Sequence, residues 1–432
     1  MTLTDLGAAE AASAIRRGEL SSEELVRACL QRVAALDPRV RAFVDFRPEE
    51  ALDQARSLDR QREGSFGLLH GVPVAVKEIF DVQGMRCGWG TSLHRARIPA
   101  SDAVAVARLR FAGAVILGTT VSTEYAIASA GPTTNPHDQS RTPGGSSSGS
   151  AAAVAARMVP LALGSQTIGS TVRPATYCGI YGLKPTHGAI STSGVMPLSA
   201  ALDHVGILAR TTQDIALACR VLFDANAGDR VDASAHLAEA DQRTGRPRVT
   251  LVEGPCGRRI ETPSRIALER ARAALESIGC RVQPIELPAE FAQAEECLEI
   301  ILCRDIAAHH GEDRDSAPDQ LSSRFRELVD RGRAISEKRY ENAIVRAWQY
   351  RASLLGLLEG DSIILAPVTD GIAPLLAQGT GSPSMQGLYS LVGLPALAVP
   401  TGKVDGLPVG MQLVAAPGRE GLLLACASRM QR

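Results

Sequence analysis

The sequence predicts an α/β protein whose central sheet is mixed or largely parallel and carries helices on both faces. Short apolar runs that are typical of buried strands occur at residues 72–76, 114–117 and 161–163. Segments of helical character separate these runs, at residues 101–112 and 148–157. Because such an alternation packs helices against a sheet, we expect these elements to form the core, and the hydrophobic content of 45% is ample for one.

The amino-terminal segment is predicted to be helical. Ser21 and Glu24 have the spacing of a capping box. Apolar residues follow at helical intervals, so a helix is predicted at residues 22–36. A second, more polar helix is predicted at residues 48–63.

The second half of the chain adds a further unit. Its composition indicates a boundary at residues 243–247, followed by a strand–helix–strand unit and by covering helices. We expect one domain over residues 1–432, with its core at about 60–230 and 360–432 and an inserted βαβ and helical subregion at about 245–358. The predicted elements are strands at 249–252, 282–287, 363–367, 396–400 and 409–414, a helix at 263–277, and helices within 290–358.

The composition narrows the class of partner. With 46 basic and 47 acidic residues the net charge is −1, which gives no reason to expect a nucleic-acid or anionic-membrane partner. No apolar stretch reaches the ~18 residues of a membrane span, and no signal peptide is visible at the amino terminus. The nine cysteines lack C-x-x-C spacing, so we expect reduced thiols and a cytoplasmic location.

Two glycine-rich, hydroxyl-rich loops lie at residues 144–150 and 164–174. Glycine lets the backbone approach a ligand closely. Neighbouring hydroxyl and N–H groups are what acyl transfer requires, namely a nucleophile, a proton relay and an oxyanion hole. Lys77 ends the first apolar run, where a lysine is either an edge residue that extends to water or a desolvated base. A surface salt bridge with Glu78 or Asp81 is the alternative.

The first loop has other interpretations. A run of glycine and serine is often a linker, but a helix follows this one directly and apolar strands lie on both sides. Gly145, Ser147 and Gly149 also have the spacing of a nucleophile elbow. An elbow needs a preceding strand, and the proline-rich residues 131–143 do not predict one. A P-loop is excluded because no Gly-Lys-Ser/Thr follows.

Together these loops and Lys77 resemble the amidase signature family, serine hydrolases with a Ser–cis-Ser–Lys triad. The resemblance covers roughly residues 20–220 and 360–430, and it implies the amidase-signature fold, an α/β fold with a mixed central β-sheet covered by helices. Residue by residue, it implies Ser170 as nucleophile, Ser146 as the serine after a cis peptide bond, and Lys77 as base. Further blocks that carry the resemblance lie at residues 178–179, 182–185, 202–206, 393–396 and 406–412.

Backbone N–H groups of the second loop are predicted to form the oxyanion hole, because consecutive donors in a glycine loop suit a developing oxyanion. The donors are those of Thr167, Ile168, Gly169 and Ser170. Ile168 stands where the family usually has glycine. If that position needs a positive φ, a β-branched residue is strained there; otherwise Ile168 narrows the acyl pocket.

Arg173 carries the prediction of substrate. The run from Gln166 to Pro174 resembles malonamidases, in which the matching arginine holds the substrate carboxylate, as a guanidinium fork should. Much of the family has arginine two positions after the nucleophile, where this chain has Val172. A structural ion pair is the alternative role of Arg173. Gln166 and Ser147 are the other predicted substrate-binding residues.

The sequence thus predicts a metal-independent serine amidohydrolase that cleaves a small linear amide, malonamate-like and carrying a carboxylate, through an acyl-enzyme on Ser170. No cofactor is expected, and the predicted partners are the small-molecule amide and at most a second copy in a homodimer. None of the eight histidines has a predicted role, and no residue cluster suggests a metal site. The open alternatives are an aryl-acylamide or carbamate hydrolase, the glutaminase component of a tRNA-dependent amidotransferase, and a catalytically inactive binding or scaffold protein.

Overall fold

One large β-sheet organises the molecule. The computed structural model describes residues 2–61, 66–224, 246–254 and 259–431. Its described strands form a sheet of 11 strands in the order β1-β3-β2-β4-β6-β5-β10-β11-β9-β7-β8. The strands are β1 (Phe43–Phe46), β2 (Pro73–Lys77), β3 (Val115–Thr120), β4 (Leu161–Gln166), β5 (Tyr181–Lys184), β6 (His204–Ala209), β7 (Arg248–Leu251), β8 (Arg281–Pro284), β9 (Ser362–Pro367), β10 (Ala396–Val404) and β11 (Leu407–Val414).

Helices flank this sheet, as the predicted fold class requires. The predicted helix at residues 22–36 is longer than expected and ends at Val40, with Pro38 inside its last turn. Its capping box is confirmed, since Ser21 Oγ accepts from Glu24 N at 3.1 Å. The described α-helices are α1 (Ala8–Arg16), α2 (Ser22–Val40), α3 (Pro48–Asp59), α4 (Val104–Phe111), α5 (Ser148–Ala155), α6 (Val172–Cys178), α7 (Thr212–Leu222), α8 (Thr262–Ser277), α9 (Ala294–Ser316), α10 (Ser323–Arg333), α11 (Glu337–Leu357), α12 (Gly387–Leu391) and α13 (Glu420–Arg429).

The sheet is mixed, which confirms the predicted class. Strand β2 runs parallel to both β3 and β4, and β7 runs parallel to both β8 and β9. The central pairs between these two parallel blocks are antiparallel, from β4–β6 through β5–β10 to β11–β9. Of these antiparallel pairs, only β10–β11 is a direct hairpin, with two residues between the strands.

The parallel pairing of β2 and β4 positions the candidate site. Val74 pairs with Leu161 and Val76 with Leu163. Because the carboxyl ends of parallel strands meet at one edge, Lys77 at the end of β2 lies beside the last residues of β4. All residues of both strands are buried, so Lys77 lies in an environment shielded from bulk water.

The strand–helix–strand unit predicted in the second half is present as β7, α8 and β8. It joins the main sheet through the β7–β9 pair, and the region after it is helical as expected, in α9, α10 and α11. The predicted boundary at 243–247 lies largely outside the described residues, as do the last residues of the helix predicted at 48–63.

Three strands, β1, β5 and β6, were not predicted. Within the described residues, no helix has both the length and the apolar character that crossing a bilayer requires.

Candidate active site

Lys77 is a fully buried lysine held by two serine hydroxyls. Its side chain is 0% exposed, and Nζ lies 2.7 Å from Ser146 Oγ and 2.8 Å from Ser165 Oγ. Burial lowers the pKa of Lys77 to about 7, although the nearby charges of Glu78 and Asp203 act in the opposite direction. The surface salt bridge considered for Lys77 is therefore wrong.

Ser146 lies in a loop whose first residue, Gly144, has a backbone conformation that favours glycine. The peptide bond between Gly145 and Ser146 is cis, as the family resemblance implies. Gly144 has a φ of +86°, and a Cβ there would lie 2.8 Å from Pro174 Cα, so a side chain is excluded on both grounds. The Ser146 carbonyl accepts from Thr123 N at 3.3 Å, which holds the loop against the end of β3.

The second loop is held open by the side chain of Gln166. Its Oε1 accepts from the N–H groups of Thr171 and Val172 at 3.0 and 3.1 Å. Its Nε2 donates to Ile168 O at 3.1 Å and to Ser390 Oγ at 3.0 Å. Gln166 therefore shapes the loop and does not line the cavity, which corrects its predicted contact with substrate.

The backbone of this loop offers free donors. Among the residues that the structure describes, the N–H groups of all four predicted donors, Thr167, Ile168, Gly169 and Ser170, have no hydrogen-bond partner. Thr167 Oγ1 donates to Asp203 Oδ1 at 2.7 Å, and a side chain at Gly169 would collide with Gln386. These contacts set the loop shape, and consecutive unpaired N–H groups are what an oxyanion hole needs.

A cavity of about 410 Å³ opens beside these groups. Ser146 and Ser170 both line it, and the Ser170 hydroxyl has no hydrogen bond within the described part of the chain. The opposite wall comes from α9, α10 and residues 380–388. Ile168 also lines the cavity and is absent from the positive-φ residues. The alternative in which Ile168 narrows the pocket, without backbone strain, is thus the one observed.

Arg173 reaches the same cavity from the start of α6. It is 5% exposed, and its Nη2 donates to Gly145 O at 2.6 Å. Its Nε and Nη1 have no partner in the described structure, and no described carboxylate forms a salt bridge with it, so the ion-pair alternative is wrong. Burial lowers the pKa of Arg173 to about 10. A guanidinium this poorly compensated favours an anion beside it.

Ser147 is placed away from the cavity. Its hydroxyl accepts from Ser165 N at 3.1 Å and donates to Ser165 O at 3.2 Å, so the predicted contact of Ser147 with substrate is corrected to a link between α5 and β4. No strand precedes it, because residues 131–143 contain only isolated bridges. The pattern around Ser147 is therefore not a nucleophile elbow, as the sequence already indicated.

Ser165 is the site residue that sequence reasoning missed. Its hydroxyl is one of the two hydrogen-bond partners of Lys77 Nζ. A signal for it existed, because strands ending near Lys77 and Leu163 were both predicted, and parallel neighbours end at one edge. The register of the two strands was the missing information.

The histidines that the structure describes lie outside the site. His137 contacts Cys178 O at 2.9 Å, and His204 Nδ1 contacts Leu202 O at 2.7 Å. No histidine of the described chain lines the cavity. Within the described ranges, no group of three or more histidine, cysteine, aspartate or glutamate side chains could hold a metal ion.

These groups can perform acyl transfer with a lysine in the role that histidine has in other serine hydrolases. Near neutral pH, a Lys77 with a pKa of about 7 is partly uncharged and can accept a proton through the Ser146 hydroxyl. The fold and this arrangement define an enzyme that hydrolyses amide C–N bonds.

The chain belongs to the Amidase family, whose model matches residues 24–424. It is 36% identical to the A subunit of the glutamyl-tRNA(Gln) amidotransferase of Roseiflexus castenholzii, with 100% of this chain and 96% of that protein covered. It is 34% identical to the protein of the same name from Pseudomonas entomophila, with 98% and 96% covered. It is also similar to the solved peptide amidase of Stenotrophomonas maltophilia, with 29% identity, a TM-score of 0.86, and 99% and 96% of the two chains covered.

The pH dependence of turnover tests the state of Lys77. Because the uncharged amine is the form that accepts a proton, kcat/KM should rise with pH and level off above an apparent pKa near 7. Lys77→Met should lower kcat by about 10²- to 10⁴-fold in folded protein. Lys184→Met is the matched control, since Lys184 is equally buried and its pKa is also lowered to about 7, but its amine contacts Pro185 O and His204 and neither of the two serines. The same acid limb in the residual activity of Lys77→Met would contradict the assignment.

Proposed function

We propose that the chain is a metal-independent serine amidohydrolase that cleaves a small linear amide through an acyl-enzyme on Ser170. One observation carries the proposal: the amine of a fully buried lysine hydrogen-bonds the Ser146 hydroxyl at 2.7 Å, and Ser146 shares a cavity with Ser170. An aryl-acylamide or carbamate hydrolase would use the same groups. A catalytically inactive scaffold would have no need of a desolvated lysine beside two serines.

The proposed reaction begins with attack of Ser170 Oγ on the amide carbonyl carbon. The Ser170 proton passes to Ser146, and the Ser146 proton passes to Lys77. The oxyanion accepts hydrogen bonds from the free N–H groups of Ile168, Gly169 and Ser170, each worth about 2.7–4 kcal/mol by analogy with other oxyanion holes. Collapse of the intermediate breaks the C–N bond, and the departing amine takes the proton back from Lys77 through Ser146. Water then attacks the acyl-enzyme by the same proton route and releases the acid.

Arg173 supports a substrate that carries a carboxylate, as malonamate does. Its two unpaired donors are buried at the cavity wall within three residues of Ser170. The charge of Asp370 acts on Arg173 but leaves these two donors unpaired, and a carboxylate placed there would accept charge-assisted hydrogen bonds from them. The likeness to malonamidases rests on the run from Gln166 to Pro174 and on the spacings of Lys77, Ser146 and Ser170.

A glutaminase component of an amidotransferase is the second candidate. The relatives that match over the full length are named for that component. In such an assembly, glutamine would be the amide donor, and its carboxylate could also contact Arg173. We expect the purified single chain to hydrolyse malonamate with a higher kcat/KM than glutamine. Turnover of glutamine that appears only when further subunits are added would favour the second candidate.

A covalent inhibitor identifies the nucleophile. A fluorophosphonate should label Ser170, because a hydroxyl with no hydrogen-bond partner in the described chain is open to the cavity. Ser170→Ala should abolish both the adduct, read by peptide mass spectrometry, and turnover. Ser147→Ala is the control and should still be labelled at Ser170, although loss of its hydrogen bonds to Ser165 should lower stability by about 1–3 kcal/mol. An adduct on Ser147 would overturn the assignment.

Substitution of Arg173 tests the carboxylate. Hydrogen bonds to a charged group contribute about 1.5–3 kcal/mol each, so Arg173→Ala should reduce kcat/KM for malonamate about a hundredfold more than for an uncharged amide of similar size. Arg173→Lys should restore only part of the loss, because an ammonium lacks the planar fork. Equal losses for both substrates would mean that Arg173 supports the loop through Gly145 and does not bind substrate.

A further inference from the structure

We propose that the substrate is a secondary amide with a carboxylate on one side of the scissile bond and an apolar group of about six carbons on the other. This inference rests on the proposed function and adds to it the size and chemistry of the second half of the substrate. N-alkyl half-amides of a dicarboxylic acid and N-acyl amino acids both have this chemistry. The two differ in whether the apolar half leaves as the amine or stays as the acyl group.

The volume of the cavity exceeds what malonamate needs. At about 30 Å³ for each water-sized group, a cavity of about 410 Å³ holds roughly 14 non-hydrogen atoms, about twice the number in malonamate. The volume also falls within the range of cavities that enclose whole organic ligands, which is ~300–1,000 Å³. A small primary amide would leave half of the space to water.

One part of the cavity wall is apolar. A Cβ built on Gly387 would lie 3.5 Å from Leu298 Cδ1 and 3.7 Å from Ile168 Cγ2, so these three residues surround one space. Leu302 lies one helical turn beyond Leu298 on α9, on the same face. Leu328 of α10 completes this wall. The absence of a side chain at Gly387 leaves this space open for an apolar substrate group.

The other part of the wall is polar and surrounds Gly145. Arg173 Nη2 donates to its carbonyl. A Cβ at Gly145 would lie 2.8 Å from Thr380 Cγ2, and one at Gly381 would lie 2.6 Å from Tyr177 Oη. The carboxylate site and the apolar space therefore have different neighbours. Arg173 borders the first and Ile168 borders the second, and Ser170 lies between these two residues in the sequence. We place the scissile amide at Ser170, with one half of the substrate in each part.

Two of the three charged residues at the edge of the apolar part, Glu299 and Arg324, already form salt bridges, and the third is Glu295. Glu299 forms a salt bridge with Arg331 at 2.6 Å, and Arg324 forms one with Glu327 at 3.3 Å. Neither pair offers an unmet charge to a second ionic group of the substrate. An uncharged hydrocarbon chain or ring fits this space better than a second carboxylate or an ammonium.

Two substrate series test the proposal in the full-length chain. One consists of malonamate and its N-butyl, N-hexyl and N-octyl amides; the other consists of the N-acetyl, N-hexanoyl and N-octanoyl derivatives of glycine. Burial of each methylene should raise kcat/KM about fourfold, until the apolar space is filled near the hexyl or hexanoyl member. The series that shows this rise identifies the half of the substrate that is apolar. A flat or falling response in both series overturns the proposal.

Filling the apolar space with a side chain should remove the rise of kcat/KM with substrate chain length. In Gly387→Leu the new Cβ makes only ordinary van der Waals contacts, so the protein should fold. The variant should reduce kcat/KM at least tenfold more for the hexyl or hexanoyl substrate than for the shortest member of its series. Gly356→Leu is the matched control, because it makes the same change in a helix where no atom lies within 4 Å, and it should leave that ratio unchanged. Equal effects of Gly387→Leu on short and long substrates overturn the proposal.

Failure of this inference is distinct from failure of the proposed function. If the fluorophosphonate labels Ser170 and kcat/KM stays flat or falls with chain length in both series, the inference is wrong and the hydrolase stands. If neither labelling nor turnover of any member of the two series occurs in folded protein, both are wrong.

Discussion

The arrangement of the site depends on the burial of one amine. A charged lysine cannot accept a proton, and in water an amine with a pKa near 10.4 is charged at neutral pH. Lys77 ends a strand whose residues are all buried, so its charged form loses hydration that two serine hydroxyls only partly replace. The parallel register of β2 and β4 creates this environment, because it puts the strand end against Ser165 and not against solvent.

The second requirement is a loop whose backbone donors stay unpaired. Unpaired buried N–H groups are costly, so other contacts must hold the loop against collapse. Gln166 provides four of them, and one reaches Ser390, 224 positions further along the chain. Asp203 provides another through Thr167 Oγ1. Side chains that never touch substrate thus maintain the shape on which the proposed oxyanion hole depends.

Sequence reasoning predicted the fold class, and the structure brings the three proposed catalytic residues together, since Lys77 contacts Ser146 and Ser146 shares a cavity with Ser170. It did not predict the supporting contacts. Strands β2, β3 and β4 were predicted because each contains a short apolar run. Strand β5 was not, because Lys184 within it suggests exposure, whereas the structure buries it completely. Gln166 and Ser147 were expected to contact the substrate because they lie next to the motif in the sequence. Proximity in the sequence does not show which way a side chain points. Their true partners lie in other elements, and only the register of strands and loops brings them together.

The reacting groups and the substrate-binding wall belong to different parts of the structure. Lys77 and Ser165 lie in strands of the sheet, and Ser146 and Ser170 lie in loops that follow or precede its strands and helices. The facing wall comes from helices α9 and α10 and from residues 380–388. These helices lie in the part of the chain where the sequence carries no motif. A half-amide hydrolase and a glutaminase can therefore share the first set of groups and differ only in the second. Similarity over the whole length therefore indicates the reaction and not the substrate. The apolar space around Gly387 is the part of the structure that distinguishes a half-amide hydrolase from a glutaminase.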